Sequence, residues 1–478
     1  MENNKYNTKV TDEEIANGVK DEYGCIYSPD GKRLLNGNKD ITSYTIKEGT
    51  EVICDEAFCS DYFWGYSLKS IVIPESVTKI GESAFEACEA LENIVIPESV
   101  TEIGERTFPL GIELTSHSNR FAVENDLLID LKEKRLIQCL KDKEYINIPK
   151  SVIEIGNGAF SWCSSLQSII IPDSVTKIGE SAFEGCESLE NIVIPESVTE
   201  IGSGAFYECE SLKSIVIPKK VTKIGNHAFR DCKSLQSIEI PESVIEIGDS
   251  AFYWCRSLQS IVIPESVTEI GAEAFRYCSS LKSIVIPDSV TEIGDWAFCV
   301  CSHLQSIVIP DSVTKIGKDA FGSCEALQSI VIPKSVTEIG DSPFPLGIEI
   351  TSHSDRFVVK DDLLIDLEEG RLIQCLKDRE HIIISDSITE IGEGAFSGCY
   401  SLQRITISKS VTKIAVSAFS GCPSLQSIVI PFPYSVTKIG NLFLKFCGSL
   451  QSIVIPKGTR EYIERFLDEK YHKFLTEE

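Results

Sequence analysis

The amino-acid sequence predicts a repeat solenoid, with a parallel β-sheet along one face and short helical or 3₁₀ turns elsewhere on each coil. β-hairpin segments interrupt the stack. Three observations lead there. Leu166, Leu189, Leu212, Leu235, Leu258, Leu281, Leu304 and Leu327 recur at a spacing of 23 residues without a slip. A fixed period in this range marks units that bury their apolar side only by stacking on their neighbours. Each unit carries a β-branched run closed by proline, such as Ile192-Val193-Ile194-Pro195. Each also carries Ala-Phe followed by cysteine, as in Ala205, Phe206 and Cys209.

Within one copy, β-branched Ile192, Val193 and Ile194 suit a pleated strand. Strand alternation sends Ile192 and Ile194 to one face and Val193 to the other, with Leu189 joining the isoleucines inside. Pro195 has no N–H for the ladder and ends the strand. Pro195, Ser197 and Gly202 supply turn chemistry, and Val198 and Ile201 form a second apolar pair. Ala205, Phe206 and Cys209 then fall at helical offsets, predicting a single short turn of partly 3₁₀ character.

Joined end to end, Leu-x-x-Ile-x-Ile-Pro and Ser-Val-Thr-x-Ile-Gly-x-x-Ala-Phe-x-x-Cys resemble the BspA-like type of leucine-rich repeat, over nearly the whole chain. The resemblance implies a non-enzymatic protein-binding solenoid of adhesion or host-interaction type, with host matrix or cell-surface proteins as partners. Hairpin segments between repeats are also common in that family.

Taken in order, residues 1–21 read as a loose polar leader, and residues 22–58 as a hairpin cap plus the first unit, turning at Pro29-Asp30-Gly31. Repeats follow over 59–108. A hairpin interruption spans 109–148, centred on Leu127 to Leu131 and Arg135 to Gln138. Regular repeats occupy 149–344. A near-identical interruption follows at 345–384, displaced by 236 residues, which suggests duplication of a whole block. Further repeats fill 385–458, with a two-residue expansion around Pro431-Phe432-Pro433-Tyr434. In 459–478, Ile463, Phe466, Leu467, Tyr471 and Phe474 keep helical spacing, predicting an amphipathic helix that caps the last coil or serves a partner.

A formal charge of −27 argues against nucleic acid or an anionic membrane as partner. No apolar run is long enough to span a bilayer, so no membrane insertion is expected. The polar start lacks the apolar core of a secretory signal and points to the cytoplasm, whereas the resemblance implies the cell surface. Twelve of the eighteen cysteines occupy one repeat position, among them Cys186, Cys209 and Cys232. Parallel side chains one coil apart run alongside each other, so a buried, reduced ladder is expected, which suits a reducing compartment.

Phosphate-loop, nucleophile-elbow, His-Glu-x-x-His and Cys-x-x-Cys motifs are missing from the sequence, so no enzyme, cofactor or metal is expected. The one local oddity is Cys299-Val300-Cys301-Ser302-His303, where only Cys299 and His303 depart from the repeat. The candidate ligand-facing surface is the outward sheet face: Val193, Val216, Glu239, Val262, Val285, Val308 and Val331, flanked by Lys213, Gln236, Gln259, Lys282 and Gln305. An exposed apolar stripe with a polar rim suits protein binding. Valine also suits any strand, so repetition alone yields such a stripe. An intracellular scaffold using the same face is the alternative function.

Overall fold

The computed structural model describes residues 7–59, 66–431 and 435–478; Phe432, Pro433 and Tyr434 of the expected expansion lie outside them. The chain divides into two units, Met1–Ser243 and Val244–Glu478, each a β-solenoid.

Each regular coil contributes two short parallel strands rather than the one that the Ile-Val-Ile run announces. In the first unit, Lys177–Ile178 pairs in parallel with Glu200–Ile201, while Ser214–Val216 pairs with Ser237–Glu239 on the other side. In the second unit, Glu246–Ile247, Glu269–Ile270, Glu292–Ile293, Lys315–Ile316 and Glu338–Ile339 form successive parallel rungs. Ser260–Val262 pairs with Ser283–Val285, placing Val262 opposite Val285. The second strand arises from Thr-x-Ile-Gly, whose isoleucine is buried between rungs.

Four hydrogen bonds and a ring stack lock coil to coil. Gly202 N–H donates to the Ile178 carbonyl at 2.9 Å, and Phe183 N–H to the Ala205 carbonyl at 2.8 Å. The Ser197 hydroxyl donates to the Val175 carbonyl at 2.6 Å, and the Cys209 thiol to the Phe183 carbonyl at 3.2 Å. Phe183 and Phe206 stack with ring centres 5.4 Å apart and planes within 3°. The second unit repeats the pattern: Phe275 and Phe298 stack at 5.4 Å, and Cys278 donates to the Phe252 carbonyl at 3.1 Å. Ser197 and Cys209 are therefore staples between coils as well as turn and core residues.

Gly202 is required by close approach rather than by a left-handed conformation. A Cβ there would sit 2.5 Å from the backbone nitrogen of Glu180. Ala415 holds this position in one coil of the second unit, and its N–H still reaches the Ile391 carbonyl at 2.9 Å.

The Ala-Phe corner is built from isolated i→i+3 turns, such as Ala205 N–H to Gly202 carbonyl and Cys209 N–H to Phe206 carbonyl. Left-handed residues interrupt them, including Ser181 at φ 50° and Glu208 at φ 58°. The expected 3₁₀ character thus appears bond by bond, and no continuous helix can form across a left-handed residue.

Each hairpin segment carries an extra strand. Phe121–Glu124, Leu127–Asp130 and Arg135–Cys139 form an antiparallel meander, copied at Phe357–Lys360, Leu363–Asp366 and Arg371–Cys375. Where the meander replaces a coil, the buried Gln138 amide satisfies Phe108 from the side: its Nε2 donates to the Phe108 carbonyl and its Oε1 accepts the Phe108 N–H. Gln374 does the same for Phe344.

Both chain ends depart from expectation. Residues 1–21 were expected to be loose, yet Asp12–Ala16 is helical behind a Thr11–Glu14 capping box. Glu14 then pairs with the buried Arg33, tying the segment down. The expected C-terminal helix breaks into Arg460–Glu464, a 3₁₀ turn Glu469–Phe474 and a final strand. That strand, Leu475–Glu477, pairs in parallel with Ser452–Ile455 and covers the sheet edge. Asp468 caps Lys470 N–H, starting a new turn where a continuous helix would have run on.

Asp130 anchors the first meander. It is buried, accepts a bidentate pair from Arg120 with the closest contact at 2.7 Å, and takes two further bonds from the N–H groups of Lys132 and Glu133. Burial alone would raise its pKa, but Arg120 and the two backbone donors hold it below the ordinary carboxyl value. A depressed folded-state pKa gives stability that is present above the unfolded value of about 3.9 and is lost as pH falls through the folded one. Asp130→Asn should therefore cost about 2 kcal/mol at neutral pH. In urea melts at a series of pH values, that cost should shrink below about pH 4, where wild type loses the same term.

Candidate functional site

The outward sheet face forms because the strand period is two. Ile192, Ile215 and Ile261 point in and are buried, and the residue after each points out. Val193, Val262, Val285 and Val308 are 80, 77, 73 and 76 % exposed, with Val216 and Val331 less so. Val262 and Val285 lie in paired strands, whereas Val193 and Val308 follow isolated bridges at Asn191 and Ser306. In the first unit Val216 stands in register beside Glu239, which breaks the stripe with a charge. In the second unit Val262, Val285, Val308 and Val331 follow one another on successive coils.

Lys213, Gln236, Gln259, Lys282 and Gln305 are all exposed, each three residues before its stripe position. Lys213 reaches Glu190 at 2.7 Å, a solvent-exposed pair that adds little stability and leaves both groups accessible. Ile383 belongs to the same face, in register with Thr406 and then Val429, and is as exposed as the valines. The sequence reading missed it because it lies in the hairpin-bearing block; its place two residues before Ser385 and one after Ile382 was the available signal.

Cys299, Cys301 and His303 do not converge. The Cys301 thiol donates to the Phe275 carbonyl at 3.2 Å, as a ladder cysteine does. Burial pushes the Cys299 thiol up to about 11. The His303 imidazole lies exposed, 2.5 Å from the Ser279 carbonyl. Among the described residues no three His, Cys, Asp or Glu side chains gather as a metal site would require.

All eighteen cysteines are free, and sixteen of them are buried. Desolvation raises the thiols of Cys88, to about 12, and of Cys232 and Cys278 beyond that, leaving little thiolate at neutral pH. Cys447 differs by being partly exposed, as Cys59 is, although its thiol still donates to the Phe419 carbonyl at 3.0 Å.

A family model for the BspA type leucine rich repeat region matches in six copies over residues 31–119, 137–256, 245–353 and 374–470. No curated protein sequence matches the chain. Among solved structures, similarity extends to a leucine rich cell surface protein from Faecalibacterium prausnitzii, 25 % identical, covering 74 % of this chain and 99 % of that one, with TM-score 0.47. A leucine-rich repeat protein from Bacteroides ovatus is 27 % identical over 98 % of this chain and 99 % of its own, with TM-score 0.44. The leucine rich repeat protein of T. pallidum is 29 % identical over 43 % and 86 %, with TM-score 0.30.

A thiol reagent applied to the native chain at pH 8 should modify Cys447 and Cys59 within minutes, and the other sixteen cysteines only after unfolding. Mass-spectrometric mapping of the labelled positions checks this.

Proposed function

We propose that this chain, which belongs to the BspA-type leucine-rich repeat family, is a non-enzymatic binding protein that engages protein partners through the valine face of its sheet. The observation that carries this is the run Val262, Val285, Val308 and Val331, held outward over buried isoleucines and rimmed by Gln259, Lys282 and Gln305. Covering one such valine is worth about 1.5 kcal/mol, so three or four together supply a useful share of a specific interface. The polar rim sets register and excludes water at the edge of the contact.

Adhesion to host matrix or cell-surface proteins is the specific form the family resemblance suggests. The free, mostly buried cysteines support a second reading, an intracellular scaffold working through the same face, since eighteen free thiols suit a reducing compartment. The two readings share a surface and differ in the partner.

The triple variant Val262→Glu, Val285→Glu, Val308→Glu tests the surface. Against immobilised host matrix proteins, and in parallel against cytosolic proteins of the source cell, it should lose at least tenfold in affinity, about 1.4 kcal/mol. Its circular dichroism and melting temperature should stay as in wild type, because all three side chains are exposed. Undiminished binding by the folded variant would remove the stripe as the contact surface.

A further inference from the structure

Several coils carry only acidic or small residues between the Phe and Cys of the corner, as at Glu184-Gly185 and Gly322-Ser323. In the second unit two adjacent coils depart from this together, with Tyr253-Trp254 followed by Arg276-Tyr277, and the next adds Trp296. Their rings pack edge to face: Tyr253 and Tyr277 at 5.4 Å and 75°, Trp254 and Tyr277 at 5.8 Å and 69°. Over this cluster lie cations. The Arg256 guanidinium sits 4.3 Å from the Trp254 ring centre, and that of Arg276 sits 5.1 Å from Tyr277 and 5.8 Å from Trp296.

The acids nearby are already engaged. Glu273 pairs with Arg276 at 3.0 Å, and Asp249 and Asp295 accept the backbone N–H groups of Ala272 and Lys318. Asp319 is half-buried, and burial raises its carboxyl to about 6, with Lys318 opposing. Arg256 is exposed and stands outside every ion pair among the described residues. The shielded indole N–H of Trp254 and the Nε–H of Arg276 also meet no protein acceptor.

A guanidinium held over an aromatic ring keeps N–H donors free for a further partner. That arrangement suits a carboxylate, which takes two parallel bonds from the fork. The ring faces are occupied by the guanidinium groups, which disfavours a sugar stacked on them. Trp, Tyr and Arg are also the residue types that dominate binding energy at protein contacts.

The geometry points to a second, separate docking site on the coil corner of this unit: Trp254, Arg256, Arg276 and Tyr277 receive an acidic segment of a protein partner. A Glu or Asp carboxylate meets Arg256, and an adjoining apolar side chain packs on the edge of Tyr277. This site is independent of the valine face, so either reading can fail without the other.

The probe is an N-acetylated peptide alternating glutamate and leucine, compared with its lysine-for-glutamate counterpart, against the full chain. Binding is followed by tryptophan fluorescence and by calorimetry at two salt concentrations. The acidic peptide should bind and the basic one should not, with affinity falling as salt rises. Arg256→Gln should weaken binding at least tenfold, and Arg256→Lys should restore only part of it, since a point charge lacks the fork. The triple glutamate variant of the valine face should bind the peptide as wild type does. Equal affinity of the two peptides, or of wild type and Arg256→Gln, would overturn the proposal. So would concentration-dependent self-association of the chain that Arg256→Gln abolishes, which would make a second copy the occupant.

Discussion

The backbone of each coil rests directly on the backbone of the next, and the remaining structure depends on that contact. It is possible because the residue after each second-strand isoleucine is glycine in nearly every coil. At Gly271 a Cβ would lie 2.7 Å from the nitrogen of Asp249, so an added methyl would force the neighbouring backbone to shift, as it has beside Ala415. With glycine there, the N–H of Gly271 reaches the Ile247 carbonyl at 3.0 Å. The approach also brings Phe275 and Phe298 into a stack at 5.4 Å, and lets Ser289 reach the Val267 carbonyl at 2.6 Å. Hydroxyl, thiol and amide groups all spend their hydrogen bonds on the neighbouring coil, so few buried polar groups are left unmatched.

This arrangement separates the packed interior from the variable surface. Inward positions are occupied by the same residue types in coil after coil and have no freedom to specialise. Outward positions carry no such constraint. The valine face is the repetitive product of that freedom: one side chain per coil on successive coils, with Val262 in register beside Val285. The corner of the second unit is its irregular product, where Tyr253, Trp254, Arg256, Arg276 and Tyr277 gather on two adjacent coils at positions that vary from coil to coil. A solenoid can thus present an extended surface and a local one without altering its core.

Much of this was legible in the sequence because a period of 23 residues and a strand period of two are both visible by eye. The inward isoleucines, the outward valines and the buried cysteine ladder follow from them, and the breaks in the period mark the two hairpin segments, though not their third strands. What the sequence concealed depends on contacts between coils. Ser197 looks like a turn residue until the Val175 carbonyl is seen beneath it, and Gly202 like a flexible one until Glu180 is. The second strand at Glu200–Ile201 is too short to announce itself by alternation. At the ends, Asp12–Ala16 depends on Glu14 finding Arg33, nineteen residues away in sequence, and Leu475–Glu477 on an open sheet edge. Periodicity carries neither fact. The corner cluster was unread for a related reason: its members are scattered among variable positions, and only stacking brings them together.

The direct test is Gly271→Ala in the full chain, measured by urea unfolding together with amide hydrogen exchange. If backbone contact between coils governs the fold, the added methyl should cost about 1–3 kcal/mol by overpacking. Exchange should then quicken at Gly271, whose N–H bonds the Ile247 carbonyl, and at Ala272, whose N–H bonds Asp249. A midpoint and exchange pattern unchanged from wild type would contradict the account, because the coils would then be held by side-chain burial alone.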